Sequence, residues 1–296
     1  MRILITGSTG LLGQALRARL DAVHEVWGFS RHIGAAPRQI SGDVTDREAV
    51  QRAVERIQPH LILHAAAQSD VDRCELEPET ARAVHVEATR RLVEAAQRAK
   101  ARFVYISTDY VFDGLKGSPY TEDDLPHPVS VYAHTKWDGE RVVQDSGLSW
   151  LIVRPSTLFG PGRAAFVDRA IQQAEQGVPV TVFADQTTSP SYTVDVAEGL
   201  ARLLDARAEG IVHLANSGAA RRDEFVETAL KRWGVNAIIR KVRLADARLP
   251  ARRPPNSSLA VSRLTAITGW SPPSWQAALE QHLAWKKRST PCSSAS

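Results

Sequence analysis

The chain has 296 residues with 43% hydrophobic and 24% charged content, which is ordinary for a globular protein large enough to bury a substantial core. Its 37 basic and 33 acidic residues give a net charge of +4, which is too small to indicate nucleic-acid binding without an interleaved basic and aromatic pattern. Two cysteines, Cys74 and Cys292, cannot form a disulfide framework, and no apolar run is long enough to span a membrane. The first strand begins at once, without a secretory signal before it. We therefore expect a cytoplasmic protein with no nucleic-acid or membrane partner.

The first thirty-one residues predict a strand, a glycine turn, a helix and a second strand. The apolar run at 2–6 ends at Gly-Ser-Thr-Gly-Leu-Leu-Gly (7–13), a helical pattern continues to Leu20, and a short strand follows at 26–29. In a dinucleotide site, such glycines permit the tight turn, let backbone N–H groups approach a pyrophosphate and let helix and strand pack closely. The helix N-terminus then presents unpaired N–H groups to the phosphates. This order predicts nucleotide binding.

The end of the second predicted strand indicates which nicotinamide dinucleotide is bound. NAD sites usually carry an acidic residue there for the ribose 2′-hydroxyl, whereas this chain has Ser30-Arg31-His32. A guanidinium offers a 2′-phosphate both charge and a bidentate fork. The sequence therefore predicts NADPH, with NADH still possible, unless Arg31 is only a solvated loop charge.

Helices and strands alternate through the rest of the first half. The predicted helices are 46–57 (capped by Asp46 or Thr45), 79–100 and 131–144, and the predicted strands are 61–67, 103–107 and 150–153. Continuous apolar strands separated by helices predict a parallel sheet covered on both faces. We expect an α/β fold with a Rossmann-like, doubly wound parallel sheet and right-handed crossovers.

Prolines interrupt this pattern beyond Arg154 and predict a smaller C-terminal substrate-binding lobe over the carboxyl ends of the strands. The amphipathic segment at 193–204 predicts a return to the first domain. We expect a dinucleotide-binding domain from residues 1–155 with about 193–216, a lobe from about 156–192 with 217–290, and a tail at 291–296.

A tyrosine and a lysine four residues apart, Tyr132 and Lys136, open the helix that follows the strand at 103–107. This spacing places the phenol and the ammonium on one helix face, while Thr108 lies at the carboxyl edge of the sheet. A phenol ordinarily has a pKa of about 10, and we expect the lysine cation to lower it so that Tyr132 can transfer a proton. Thr108 would hydrogen-bond the carbonyl oxygen being reduced. Alternatively, the pair only makes surface contacts and the chain binds nucleotide without catalysis.

Motifs along almost the whole chain resemble those of the extended short-chain dehydrogenase/reductases and, within them, the dTDP-4-dehydrorhamnose reductase family. Besides the glycine turn and the Tyr–Lys pair, they are Gly-Asp-Val (42–44), His-Ala-Ala-Ala-Gln-Ser-Asp-Val-Asp-Arg-Cys-Glu (64–75), Ser-Thr-Asp-Tyr-Val-Phe-Asp-Gly (107–114), Ser-Pro-Ser-Tyr-Thr-Val-Asp (189–195) and Ala-Arg-Arg-Pro-Pro-Asn-Ser (251–257). The blocks at 107–114 and 252–257 are the narrower signals, because many relatives share the rest.

The resemblance implies a role for each matching residue. The implied cofactor-binding residues are Gly7, Thr9, Gly10, Leu11, Leu12 and Gly13 at the pyrophosphate, Ser30 and Arg31 at the ribose, Asp43 and Val44 at the adenine, Ala65, Ala66 and Ala67 along the cofactor, and Ser156 at the nicotinamide carboxamide. Thr108, Tyr132 and Lys136 would form the catalytic triad, with Lys136 also holding the nicotinamide ribose. Asp109, Val71 and Thr157 would lie near the substrate.

The resemblance implies an NAD(P)H-dependent oxidoreductase acting on a nucleotide sugar. NADPH would reduce the 4-keto group of a dTDP-linked 6-deoxyhexulose, in dTDP-L-rhamnose or related deoxysugar biosynthesis, and a homodimer is a possible assembly. Thr157 stands where the rhamnose-pathway enzymes usually have tryptophan, so another deoxysugar stays open. Epimerases and dehydratases of nucleotide sugars share the fold and the Tyr–Lys pair. A non-catalytic NADP-binding regulatory subunit is the other alternative, because 108–139 also resembles that of methionine adenosyltransferase.

Four further features carry weaker hypotheses. Arg252, Arg253 and Asn256 form a basic patch that either contacts the substrate's diphosphate or thymidine, with Arg253 our candidate, or is a solvated loop. Asp72 is expected to cap the helix that follows it rather than to join a cation site. Cys74 has no evident base and is expected to be a partly buried, unreactive thiol. The histidines show no zinc-binding spacing, so no metal site is predicted.

Overall fold

The structure is a computed structural model that describes residues 1–34 and 36–289. The strands within these ranges are β1 (Arg2–Thr6), β2 (Glu25–Ser30), β3 (Gln39–Ser41), β4 (Leu61–His64), β5 (Arg102–Ile106), β6 (Trp150–Arg154), β7 (Leu158–Phe159), β8 (Val180–Phe183), β9 (Thr187–Thr188), β10 (Ser191–Tyr192), β11 (Gly210–His213), β12 (Ala220–Arg221) and β13 (Ile239–Val242). The helices are α1 (Leu11–Leu20), α2 (Arg47–Ile57), α3 (Val71–Leu76), α4 (Pro78–Arg82), α5 (Ala88–Ala99), α6 (Val131–Gln144), α7 (Phe166–Glu175), α8 (Thr193–Asp205), α9 (Arg222–Trp233), α10 (Ser262–Thr268) and α11 (Trp275–Ser289). The predicted tail at 291–296, with Cys292, lies outside the described residues.

Seven parallel strands form the central sheet, in the order β3-β2-β1-β4-β5-β6-β11. Their side chains alternate between two cores, because Ile3 and Ile5 join one hydrophobic cluster while Leu4 joins the other. The strand order reverses between β1 and β4, which is where ligands bind in sheets of this kind. The predicted doubly wound parallel sheet is confirmed.

Helices cover both faces of the sheet. On one face α1 and α8 pack together and bury Leu16 and Leu200, and on the other α2 and α5 bury Val54 and Leu92. A third cluster lies in the later part of the chain and includes Phe159, Phe225 and Trp275. The chain after β6 thus adds α8 and β11 to the central layers and builds a separate core from α7, α9 and α11.

Several elements differ from their predicted bounds. The short strand β3 was not predicted, because Gln39-Ile40-Ser41 has a single apolar residue. The strand predicted to run from 61 to 67 ends at His64. The helix predicted over 79–100 contains a π-helical turn, Ala83–Glu87, between α4 and α5. Asp46 caps α2, as expected, by accepting hydrogen bonds from the backbone N–H groups of Glu48 and Ala49.

Candidate active site

The glycine turn joins the carboxyl end of β1 to the N-terminus of α1. Gly7 has a φ of +68°, and a Cβ there would lie 2.7 Å from Ala66 Cα. A Cβ on Gly13 would lie 2.1 Å from the Gly7 carbonyl oxygen. Only glycine permits these approaches, so the turn stays tight and α1 begins directly behind it. The six residues predicted to hold a pyrophosphate therefore lie together, at the point where the strand order reverses.

The end of β2 lies beside this turn. Ser30 is buried, and its Oγ lies 3.1 Å from Ser8 Oγ and accepts a hydrogen bond from the Thr9 N–H at 3.3 Å. Arg31 is exposed, and the described residues place no carboxylate within ion-pair distance of it. Its guanidinium thus remains available to an anionic ligand, as the NADPH hypothesis requires.

The two segments predicted to line the cofactor follow β3 and β4. Asp43 is partly exposed, and its Oδ1 accepts hydrogen bonds from the backbone N–H and the hydroxyl of Thr45. Val44 is buried against the core. Ala65 and Ala66 are partly buried, and Ala67 is exposed. Both segments end at the same edge of the sheet as the glycine turn, and their cofactor contacts stay predictions.

Two side chains fix the start of α6. Ser130 accepts a hydrogen bond from the Ala133 N–H at 3.3 Å, and Glu75 Oε2 accepts one from the Val131 N–H at 2.9 Å. Because these caps define where α6 begins, they place Tyr132 in its first turn, at the edge of the sheet where Thr108 follows β5. The Thr108 hydroxyl lies close enough to the Tyr132 phenol to lower its pKa. The structure therefore brings two of the predicted triad members close together.

Lys136 is buried one helical turn after Tyr132 on α6. Its Nζ donates a hydrogen bond to the Ile106 carbonyl oxygen at 2.6 Å and lies 4.1 Å from the ring centroid of Tyr105. Burial lowers the pKa of Lys136 to about 7, although the carboxylate of Glu140 acts in the opposite direction. The amine is therefore near its midpoint at neutral pH.

The pKa of Tyr132 moves in the direction opposite to our expectation. Burial raises it, and the nearby Thr108 hydroxyl offsets this only in part. The prediction that Lys136 lowers the pKa of the phenol is therefore wrong for this structure, because Lys136 is itself desolvated and donates to a backbone carbonyl. Tyr132 is held in its protonated form, which is the form that a proton donor needs.

His85 is a site residue that the sequence reasoning missed. Its Nε2 accepts a hydrogen bond from the Gln68 N–H at 3.0 Å, so Nδ1 carries the proton and donates to Thr135 Oγ1 at 2.8 Å. The ring packs edge-on against Tyr132 with centroids 5.7 Å apart, and burial lowers its pKa well below the usual range. His85 therefore positions α6 as a neutral ring. In the sequence, Ala81, His85 and Ala88 follow helical spacing on the face that the structure buries. This pattern could have identified His85.

Asp109 is a buried carboxylate that joins three segments. Its Oδ2 accepts hydrogen bonds from the hydroxyls of Ser156 at 2.7 Å and Ser257 at 2.6 Å, and its Oδ1 accepts one from Thr108 at 3.1 Å. Burial raises the pKa of Asp109 to about 6, although these hydroxyl donors oppose the change. The predicted substrate residue Asp109 and the predicted cofactor residue Ser156 thus bond to each other, and Asp109 orients the hydroxyl of Thr108.

Replacing Asp109 by asparagine should alter how stability depends on pH. Because the folded-state pKa of about 6 lies above the usual 3.8, Asp109 contributes stability that is fully present below pH 3.8 and lost as pH rises through 6. Asparagine does not titrate. We expect the free energy of unfolding of the wild type, relative to Asp109→Asn, to fall by roughly 2–3 kcal/mol between pH 4 and pH 7.

Chemical denaturation at several pH values measures this difference. Asp113→Asn is the matched control, because hydrogen bonding lowers the pKa of Asp113 and its contribution is lost in the opposite direction, as pH falls. Parallel pH profiles for the wild type and Asp109→Asn would show that the buried carboxyl does not titrate in this range.

The candidate substrate residue Arg253 is engaged by another side chain. Its two Nη atoms donate to the carboxylate oxygens of Asp72 at 3.0 and 2.6 Å. The prediction that Asp72 caps α3 is wrong, because Asp70 accepts the hydrogen bond from the Arg73 N–H. Val71 and Thr157, also predicted near the substrate, are both partly exposed. Contact of these three residues with a substrate stays a prediction.

The environment of Cys74 determines how readily its thiol forms a thiolate. Cys74 is fully buried, not partly buried as expected, and burial raises its pKa to about 11, which disfavours the reactive thiolate. Over residues 1–34 and 36–289, no group of three or more metal-ligating side chains comes together. In the same part of the chain, no helix is both long and apolar enough to cross a membrane.

Known proteins match this chain over nearly its full length. It is 31% identical over 300 residues to a dTDP-4-dehydrorhamnose reductase of Aggregatibacter actinomycetemcomitans, covering 96% of this chain and 99% of that protein. It is 31% identical over 288 residues to methionine adenosyltransferase 2 subunit beta of Rattus norvegicus, covering 90% of this chain and 82% of that one. The crystal structure of a dTDP-4-dehydrorhamnose reductase from Bacillus anthracis in complex with NADP is similar with a TM-score of 0.89, at 30% identity over 96% of this chain and 99% of that chain.

A sequence match that covers both the central sheet and the hydrophobic cluster after it shows the family of this chain. The sequence model of the RmlD substrate binding domain matches residues 1–287. The parallel seven-stranded sheet and the motifs at 107–114 and 251–257 agree with this match. The chain is therefore a member of the RmlD substrate binding domain family, within the extended short-chain dehydrogenase/reductases.

Proposed function

We propose that this protein is an NADPH-dependent reductase of the 4-keto group of a nucleotide-linked 6-deoxyhexulose. The observation that carries the proposal is the proximity of the Thr108 and Tyr132 hydroxyls, with the buried Lys136 one helical turn along α6, at the same sheet edge as the glycine turn. The relatives named dTDP-4-dehydrorhamnose reductase support both the reaction and the dTDP-linked substrate.

The residues present fit a nicotinamide dinucleotide. The glycine turn leaves no room for side chains between β1 and α1, and Ser30 and Arg31 follow at the ribose end without an acidic residue. NADPH, when bound, supplies the hydride for the reduction. The proposed contacts are those predicted from the sequence, with Lys136 at the nicotinamide ribose and Ser156 at the carboxamide.

The chain's own residues would orient the keto group and deliver the proton. The carbonyl oxygen of the substrate would accept a hydrogen bond from Tyr132, and Thr108, whose O–H donates to Asp109 Oδ1 in this structure, would turn its proton to the same oxygen. Tyr132 then donates its proton to that oxygen as negative charge develops on it. Before substrate binds, Asp109 Oδ1 accepts the Thr108 proton and keeps that hydroxyl at the site, and Lys136, one helical turn from Tyr132 on α6, supplies a buried cation when it is protonated.

Loss of the nicotinamide absorbance in the presence of dTDP-4-keto-6-deoxy sugars tests this function. The sugars are formed in situ, with and without a 3,5-epimerase. Oxidation of NADPH only with the epimerised sugar supports a rhamnose-type reductase, and oxidation with the unepimerised sugar indicates another deoxysugar pathway. Binding of NADPH without oxidation by any of these sugars would contradict the proposal.

Replacing Arg31 by glutamine should reduce the preference for NADPH over NADH. The guanidinium, which is exposed and unpaired among the described residues, is expected to bind the 2′-phosphate that only NADPH carries. We expect the KM for NADPH to rise about tenfold, while the KM for NADH stays unchanged. Steady-state kinetics with both cofactors measure this, and equal changes for the two would exclude a 2′-phosphate contact.

A regulatory subunit without catalysis is the second candidate, favoured by the similarity to methionine adenosyltransferase 2 subunit beta. It requires NADP binding without turnover. The proximity of the Thr108 and Tyr132 hydroxyls and the burial of Lys136 favour catalysis, because a purely structural site needs no hydroxyl pair at the sheet edge. The assay above separates the two candidates.

The substrate would lie between the two parts of the fold. We propose that residues 1–155 with about 193–216 bind the dinucleotide, and that 156–192 with 217–290 form the substrate lobe. Asp109 links the two proposed parts, because its carboxylate accepts hydrogen bonds from Ser156 and Ser257, which both belong to the lobe. The sugar would then meet Tyr132 from the lobe side.

A further inference from the structure

Arg222 is a cation for which the fold provides no acidic partner. It is the first residue of α9 and is partly buried. Its guanidinium lies 4.2 Å from the ring centroid of Phe166. Residues 1–34 and 36–289 supply no carboxylate within ion-pair distance of it, whereas the neighbouring Arg221 pairs with Asp223 at 2.7 Å. The position of Arg222 therefore needs another explanation than an internal salt bridge.

The charged groups around Arg222 are mostly of its own sign. Burial lowers its pKa, the positive charges of Arg253 and Arg169 lower it further, and Tyr110 and Asp109 act in the opposite direction. Asp109 already accepts hydrogen bonds from hydroxyl groups, and the carboxylate of Asp72 already pairs with Arg253. Bringing cations together in a partly desolvated place costs free energy that a bound anion would offset.

A short series of contacts connects Arg222 with the proposed proton donor. The backbone N–H of Arg222 donates to the backbone carbonyl oxygen of Gln186 at 2.8 Å. The side-chain Nε2 of Gln186 donates to Tyr110 Oη at 3.1 Å. The Tyr110 ring packs edge-on against Tyr132 with centroids 6.0 Å apart. Tyr110 therefore lies between Tyr132 and Arg222, and Arg222 lies towards the hydrophobic cluster of the later part of the chain.

We propose that Arg222 binds the diphosphate of the nucleotide-sugar substrate, in a subsite bounded by Phe166 and Tyr110. This assignment rests on the proposed function. In a hexose the diphosphate is attached at C1, across the ring from C4, so a sugar whose C4 faces Tyr132 directs its phosphates away from that residue. A guanidinium offers paired N–H donors that match phosphate oxygens, and the Phe166 ring holds its plane by stacking.

Calorimetric titration of dTDP into the NADP⁺-loaded protein tests the assignment without requiring turnover. Arg222→Gln should weaken dTDP binding by about 10- to 100-fold, because a charge-assisted hydrogen-bond pair to the phosphates is lost. Arg221→Gln is the matched control, since its side chain is exposed and already paired, and it should bind dTDP like the wild type. Thymidine, which lacks phosphates, should bind the wild type and Arg222→Gln equally.

Each other outcome overturns the assignment in a recognisable way. If the wild type binds dTDP and Arg222→Gln binds it equally well, Arg222 is not the anchor and the proposed function is untouched. If the wild type binds neither dTDP nor UDP, the nucleotide-sugar hypothesis fails together with the assignment. If only UDP binds, the assignment requires the same loss of affinity for UDP in Arg222→Gln, and equal affinity for UDP in the two proteins overturns it. Unchanged NADP⁺ affinity in Arg222→Gln shows that the variant is folded.

Discussion

Replacing Tyr132 by phenylalanine should lower kcat by about 10²- to 10⁴-fold while leaving NADPH affinity nearly unchanged. The hydroxyl is the proposed proton donor, and the ring contacts with His85 and Tyr110 remain in the variant. Stopped-flow or steady-state oxidation of NADPH gives kcat, and nicotinamide fluorescence gives the affinity. The same variant tests the regulatory-subunit alternative, which expects no turnover to lose.

Tyr120→Phe is a suitable control for this loss of a hydroxyl. Tyr120 Oη donates to Asp113 and the ring stacks on Phe112, outside the site, so its removal should affect stability more than kcat. A Tyr132→Phe variant that keeps kcat within tenfold of the wild type would rule out Tyr132 as the acid.

Replacing Glu140 by glutamine should destabilise the protein by about 3–5 kcal/mol. Glu140 and Arg154 form a fully buried, bidentate pair with distances of 2.8 and 2.6 Å, and the guanidinium also lies over the Phe112 ring. Removing one charge leaves the other uncompensated in a desolvated place, which costs more than the pair itself contributes. Denaturant unfolding measures the free energy.

Two further readouts distinguish this pair from an ordinary surface contact. Glu48→Gln breaks an exposed pair with Arg52 and should change stability little. Because Glu140 raises the pKa of Lys136 against the effect of burial, Glu140→Gln should move that pKa further below about 7. Any step of the pH profile that reports Lys136 should then shift towards acid. A variant as stable as the wild type would contradict the assigned energetics.

Local patterns were sufficient to predict five of the seven strands of the central sheet, β1, β2, β4, β5 and β6. The apolar runs, the glycine turn and the Asp46 cap each act over a few neighbouring residues, so their signals are visible in the chain itself. The strand β3 has too little apolar content to be recognised, and the π-helical turn at Ala83–Glu87 leaves the apolar periodicity almost intact. Asp70 and Asp72 both lie near the start of α3 and either could cap it. Asp72 pairs with the distant Arg253, so Asp70 is the cap, and the sequence does not show this pairing.

The parts of the site that could not be predicted depend on contacts between distant segments. Asp109 bonds Ser156 and Ser257, which are 47 and 148 positions away along the chain. The desolvation that raises the pKa of Tyr132 and lowers that of Lys136 likewise depends on how the layers pack, rather than on the four-residue spacing. Arg222 belongs to no motif, and its significance is clear only from the partners that surround it.

Transfer of deuterium from NADPH to the sugar tests the central claim most directly. The protein is incubated with a dTDP-4-keto-6-deoxy sugar and NADPH deuterated at C4 of the nicotinamide, using each C4 stereoisomer in turn. We predict that one of the two gives a product with a single deuterium at sugar C4, detected by mass spectrometry and NMR. A sugar that is epimerised or left unchanged, with no deuterium gained and no NADPH consumed, would contradict the reductase.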